Sequence, residues 1–364
     1  ESVVLLGTDV DLGLFQGNRL RGGMTVFAES LQMGLFQDNR LQGWLNISID
    51  GNLTWGDSIG NTMEMWNLSA HDAQMGRIDN NTLSTDMVFH CNGSLYTEDI
   101  TGNDLRDIFM QATDMQLESL VENLARDVDL QSSTVAMVSL DDNELSGSIN
   151  ISSPVRLQAE SLSGNSAVNL LIQGGNLSIG DLDGNTLSGD LELEGAYMTI
   201  SSLQGNTASV IDIRGTDISL GPILQNVLSG GIALNSDSNL SISIIQANEV
   251  QDMDISADRV TTGDIRLNSL SGSLTVNSAN GMSIAGIDGN GILGSLSLLG
   301  GPLQVLDGII DNNVTEGIRI DASSSLVPLI AGNNLSACPG HGISWVSAGD
   351  IQTVLRNNNI TASA

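Results

Sequence analysis

The residues able to do chemistry are few. The chain has three His and two Cys, and His71 and Cys91 each lie ten residues after an Asn, Asn61 and Asn81, in successive segments. With His90 next door, His71, His90 and Cys91 form a patch that could take a soft metal. Ordinary surface and core packing is the competing reading. Trp44 and Trp66 both lie five residues after an Asn and are expected to stack as neighbours, as packing more than as a sugar platform. Acids recur beside the same Asn positions at Asp38, Asp142 and Asp311, with Asp183 and Asp288 one residue further back. They read as solvated turn residues, with Ca²⁺ bridging as the alternative. No catalytic or cofactor-binding residue is assigned.

Asn-x-Ser/Thr is the one modification motif in quantity. Its eleven acceptors are Asn46, Asn52, Asn67, Asn80, Asn92, Asn150, Asn176, Asn239, Asn313, Asn334 and Asn359. A glycan needs an outward Asn, so the elements that position these residues decide the matter.

Those elements are set by a repeat. Asn18, Asn39, Asn61, Asn81, Asn103, Asn123, Asn143, Asn165, Asn185, Asn206, Asn226, Asn248, Asn268, Asn290, Asn312, Asn333 and Asn358 follow one another at intervals of about 21 residues. Two residues after each stands an aliphatic residue or Ala, from Leu20 and Leu41 to Ile360. Three before it stands Phe, Leu or Ile, with Ser58 as the exception. Gly recurs four after it, as in Asn185 to Gly189 and Asn226 to Gly230. Between these marks apolar and polar residues alternate, as in Leu191-Glu192-Leu193-Glu194. Alternation with Gly and Asn at the corners predicts short strands with one face buried. The fold class is therefore all-β: a single-stranded parallel β-helix, or β-solenoid, of about seventeen coils, extending over residues 1–364 as one domain without obvious caps. Asp104 to Leu130 carries Ile108, Leu117, Leu120, Val121 and Leu124 at spacings that also suit an amphipathic helix, a local deviation the coil template competes with.

Stacked coils lie about 4.8 Å apart, so an inward Asn at each corner forms a ladder, bonding turn backbone and its own copies. The phase turns the sequons outward: Asn52, Asn176 and Asn239 precede inward positions, Asn46 and Asn150 sit between them, and Asn313, Asn334 and Asn359 follow ladder residues. Cys91 and Cys338 are about twelve coils apart, on the order of 57 Å, whereas a disulfide needs Cα atoms within about 7 Å. They are free, or they link different subunits.

Charge narrows the partners. Forty-three acids oppose twelve bases, all Arg, for a net charge of −31. Nucleic acid is excluded as a natural partner, since phosphate binding needs a basic surface. No apolar run reaches membrane-span length. The chain starts at Glu1, which suggests a processed product or an excerpt.

The coils resemble right-handed parallel β-helix surface proteins. Phe15-Gln16-Gly17-Asn18 with Gly22-Gly23, and Phe36-Gln37-Asp38-Asn39, look like the Phe-x-x-Asn and Gly-Gly-aliphatic repeats of polymorphic outer-membrane adhesins. Ile309-Ile310-Asp311-Asn312-Asn313 through Gly317-Ile318-Arg319-Ile320 resembles the degenerate repeats of secreted β-helix proteins. Most later coils carry Leu or Ile in place of the Phe. The resemblance implies a cell-surface or secreted location.

Enzymes on such folds wall their clefts with long loops, and coils this uniform have none to spare. Seventeen coils would stack to about 80 Å, and open ends need a cover. The leading expectation is a non-enzymatic, extracellular, self-assembling structural protein (filament, sheath or surface-layer subunit), N-glycosylated, whose main partner is itself, without cofactor beyond Ca²⁺ on surface acids. An adhesin or passenger segment of a larger surface protein is the alternative. A β-helix polysaccharide lyase or hydrolase is third.

Overall fold

A computed structural model describes residues 1–349 and 351–362. Asp350, Ser363 and Ala364 lie outside the described residues. The chain is an all-β parallel solenoid of about seventeen turns, with no helix among the described residues and hence no helix long and apolar enough to cross a membrane. It divides into two compact units, Glu1–Ile179 and Gly180–Ala364.

Each full turn follows one plan. A long strand such as Ile211–Leu224 is succeeded by a corner, a two-residue strand such as Val227–Leu228, and a second corner. Side chains alternate along segments of the strand, burying Ile211, Ile213, Ile218, Leu220 and Ile223, with a break at Gly215–Asp217 and another at Gly221–Pro222. In Glu1–Ile179, Met24, Leu45, Trp66, Met87, Ile108, Val128 and Ile149 stand over one another in parallel register. In Gly180–Ala364 the same column runs Leu191, Ile211, Ile232, Met253, Leu274, Leu296, Ile318 and Ile343. Burying each such side chain stabilises the fold by roughly 1.5–3 kcal/mol.

The helical alternative at Asp104–Leu130 is not realised. Strands Asp107–Val121, Leu124–Ala125 and Asp127–Asp141 occupy this stretch. Ile108, Met110, Ala112, Met115, Leu117 and Leu120 are buried, whereas Leu124 is exposed. Burial at every second residue over Ile108–Ala112 and Met115–Leu117 is the strand period, and Val121 and Leu124, which the helical stripe would bury, are half-buried and exposed.

The corner before each two-residue strand is held by the Asn ladder. Asn61 donates both its backbone N–H and its Nδ2 to Asn81 Oδ1, at 3.0 and 2.9 Å, and Nδ2 also donates to the Phe36 carbonyl at 2.8 Å. In the second unit Asn206 does the same with Asn226 Oδ1 and the Leu182 carbonyl. One side chain thus ties three turns and satisfies buried backbone groups that Leu would leave unpaired. From Asn39 to Asn333 the ladder residues are buried.

The residue preceding every ladder Asn is left-handed, with φ between 52° and 69°. Eight of these seventeen positions are Gly, and the rest are Asp, Asn, Glu, Gln, Ala247 and Leu267. This is what occupies the sites of Asp38, Asp142 and Asp311: they are corner residues, a conformation that Asp and Asn tolerate and Leu does not.

Candidate functional surfaces

The structure does not assemble the His71, His90 and Cys91 patch. Cys91 stands opposite Ala70 and is buried, while His90 stands opposite Ser69 and Gln111 and is exposed, its Nδ1 3.1 Å from Gln111 Oε1. His71 pairs instead with Asp72, Nδ1 to Oδ2 at 3.0 Å. The cause is a one-residue difference in corner length: Cys91 follows Asn81 by ten residues, but its counterpart Ala70 follows Asn61 by nine. Among the described residues no three His, Cys, Asp or Glu side chains are grouped as a metal ion would need.

The same one-residue difference separates Trp44 from Trp66. Trp66 stands opposite Leu45, in the core, whereas Trp44 is 53% exposed. Trp66 packs instead in an inward aromatic row, Phe15, Phe36, Trp55, Trp66 and Phe89, with successive centroids 5.2–5.5 Å apart. The indole N–H groups of Trp55 and Trp66 are buried there without an acceptor.

Both cysteines are free and inward. Burial, with the Asp72 charge adding to it, pushes the Cys91 thiol up to about 12. Cys338 Sγ lies 3.8 Å from the Thr315 carbonyl. Both sulfurs are buried in the folded chain, and at Cys91 burial also disfavours the thiolate that exchange would need.

None of the eleven sequon Asn residues is buried. Asn46, Asn67 and Asn150 are half-buried and the other eight exposed. Some stack into outward ladders: Asn67 Nδ2 donates to Asn46 Oδ1 at 3.1 Å, and Asn334 and Asn359 donate to Asn313 and Asn334 at 2.9 Å. Asp183 accepts from Ser202 Oγ at 3.0 Å and from the Gln204 N–H at 2.8 Å, so it caps the next turn. Asp288 is exposed and stands opposite Arg266 on one side and Ile310 on the other.

A charged groove on the first unit went unseen in the sequence. Arg106 grips Asp86 through Nε and Nη2 at 2.9 and 2.7 Å, Arg126 Nη2 reaches Asp107 at 2.6 Å, and Arg126 Nε reaches Asp127 at 2.8 Å. Acid and base alternate over three turns beside a groove of about 390 Å³, whose lining includes Phe109, Asp129 and Asn150. Burial, followed by the neighbouring Asp127 charge, raises the Asp129 carboxyl above its ordinary value, against a lowering hydrogen bond from Gln131. A reluctant acid beside an ionised one is the raw material of acid–base chemistry. Here Asp86, Asp107 and Asp127 are each tied to Arg, and the walls are ordinary solenoid turns. Sequence spacing held a trace of this groove, because Asp107 and Asp127 each lie four residues after a ladder Asn.

At the first turn the inward side chains Val3, Leu5, Val10, Leu12, Phe15 and Leu20 are half-exposed, whereas their counterparts Met24, Val26, Leu31, Met33, Phe36 and Leu41 are buried. In the last turn Leu355 and Ile360 are more than half or half exposed, at 56% and 50%. No known protein family, no curated protein and no solved structure matches the chain.

Proposed function

We propose that this is a non-enzymatic structural protein of the cell exterior, N-glycosylated on its outward Asn residues, which assembles by stacking copies turn upon turn. The observation that supports the reading is the polarity of the ladder, in which each Asn donates to the rung ahead and accepts from the rung behind, so that a turn can be added to any rung. Asn18 gives its N–H and Nδ2 to Asn39 Oδ1, yet its own Oδ1 accepts no hydrogen bond among the described residues. Asn358 Oδ1 accepts from Asn333, yet its backbone N–H has no acceptor among them. The first described rung has an acceptor to spare and the last a donor, which a further turn of this chain or of a second copy would meet. Asn358 of one copy over Asn18 of the next would meet both needs and bring Ile360 onto Leu20. A net charge of −31 makes such assembly favour salt or divalent cations.

Further solenoid turns of a longer surface protein, of the adhesin or passenger kind, would satisfy the same groups. Electron microscopy of the native material separates the two readings. Ordered polymers with an axial repeat of one chain are expected, and monodisperse particles would transfer the proposal to the passenger reading. Glycan mass spectrometry on the same material tests the exterior location, and eleven unmodified Asn residues would remove that part. Turnover of an acidic polysaccharide that is lost in Asp127→Asn would overturn the non-enzymatic reading.

A further inference from the structure

Three outward columns flank the ladder on its short-strand face: the residues one before, one after and three after each ladder Asn. In Gly180–Ala364 these columns hold 27 positions, and only Glu249 and Asp311 among them are charged. In Glu1–Ile179 they hold 24, of which eleven are Asp, Glu or Arg. For a chain of net charge −31, a face nine rungs long with only two charges is exceptional.

The same face bears exposed apolar side chains. Val227, Leu267 and Leu293 are 48%, 57% and 61% exposed. Leu267 is also left-handed, at φ 56°, and its side chain leans along the face to within 3.1 Å of where a Cβ on Gly289 would stand. An exposed Leu in that conformation costs about 1–2 kcal/mol, although Gly or Asn fills the equivalent corner on other turns. Packing against itself does not explain it, and strain of this kind points outward to a contact.

We propose that this short-strand face, centred on Val227, Leu267 and Leu293, is a lateral docking face for the same face of a second copy. Elsewhere two copies oppose many carboxylates, whereas on this face each copy brings only Glu249 and Asp311, so a two-fold pairing buries little charge. Nine rungs at about 4.8 Å and three columns amount to roughly 600 Å² per copy, or about 1,200 Å² in all, which reaches the lower bound for a specific interface. An acidic partner finds no base on the face, and a carbohydrate finds no aromatic ring among the 27 positions. This contact is lateral and does not depend on end-on stacking.

Sedimentation of the full chain across a concentration series is the test. Reversible side-by-side association is expected, weakened at least about tenfold in Leu267→Asp and again in Leu293→Asp, because each places two unpaired carboxylates in the contact. Leu267→Asp is a safe probe of folding, since Asp142 and Asp311 hold the same left-handed corner on other turns. Leu306→Asp, an exposed apolar residue off the face, must leave association unchanged. The proposal falls if the parent chain stays monomeric at its solubility limit, if Leu267→Asp associates as the parent does, or if Leu306→Asp is equally disruptive. It also falls if a soluble neutral glucan binds the face with no self-association. Loss of end-on polymers in Asn18→Ala with lateral pairing intact is expected if the two contacts are separate, and a parent chain that pairs laterally but forms no end-on polymer would count against the stacking proposal alone.

Discussion

The two units share one ladder geometry and differ in nearly everything hung upon it. Glu1–Ile179 packs Phe and Trp rings into its core and carries Arg–Asp pairs that cross from one turn to the next, as in Arg106–Asp86 and Arg126–Asp107. Gly180–Ala364 fills its buried core with aliphatic residues and Met, leaves its short-strand face with only two charges, and keeps its Arg–Asp pairs within single turns, as in Arg266–Asp264 and Arg319–Asp321. The corner fixes backbone path and register, and leaves both the inward volume and the outward chemistry free to vary. Function in such a fold resides in the outward columns, where the units diverge.

The largest effect expected from breaking this comparison comes from removing a rung in each unit. Asn123→Ala leaves the Asn103 N–H and Nδ2 and the Ile100 carbonyl without their partner, and Asn226→Ala does the same to Asn206 and Leu203. Each orphaned buried group costs about 1–3 kcal/mol, so a loss of roughly 3 kcal/mol or more is expected in both variants. Denaturant unfolding measures it. A markedly smaller loss in the first unit would mean that its aromatic row shares the corner's work. Asn18→Ala, on a half-exposed rung, should cost much less.

Leu267→Gly should move the other way. Relief of the left-handed strain outweighs the added freedom of the unfolded chain, for a gain of about 1 kcal/mol in thermal or denaturant stability. Gly60→Ala, on the corresponding corner of the first unit, should lose stability. A stabilised Gly60→Ala would refute the shared-corner account.

Smaller effects probe the charged surface. Arg126→Ala leaves Asp127 without its Arg and Asp107 with Arg106 alone, and should lower stability slightly at low salt, with the difference vanishing at high salt. Asp129→Asn tests the raised carboxyl. Its folded value lies above its unfolded one, so the acid's favourable contribution is complete below the unfolded value, near 3.8, and is lost as pH rises through the folded value. Asp129→Asn should therefore stabilise at neutral pH and leave stability near pH 3 unchanged. Equal shifts at both pH values would assign the effect to packing.

The ladder was legible because a buried, self-bonding Asn tolerates no substitute, so its spacing persists through turns of 20 to 25 residues. The left-handed column beside it was harder to see. Gly, Asp and Asn dominate it, but Glu122, Gln225, Ala247 and Leu267 dilute the signal, since an exposed corner accepts strain that a core position would not. The His71, Cys91 and Trp44 placements failed for one physical reason: corner length differs by one residue between the turns after Asn39, Asn61 and Asn81, and one residue reverses the face of a strand. The acidic groove could not be read because its Arg–Asp contacts join neighbouring turns through side chains of variable reach.

The ladder also has an arithmetic. Each Asn bonds to the rung ahead and to the carbonyl of the turn behind, without reference to how many rungs there are. Excising Val227–Asn248, one full interval, would present Asn226 to Asn268 in the geometry it already uses, whereas excising a single residue inverts every side chain up to the next corner. Length in this molecule is thus a quantised property: whole turns can be gained or lost at little cost, and fractions of a turn cannot.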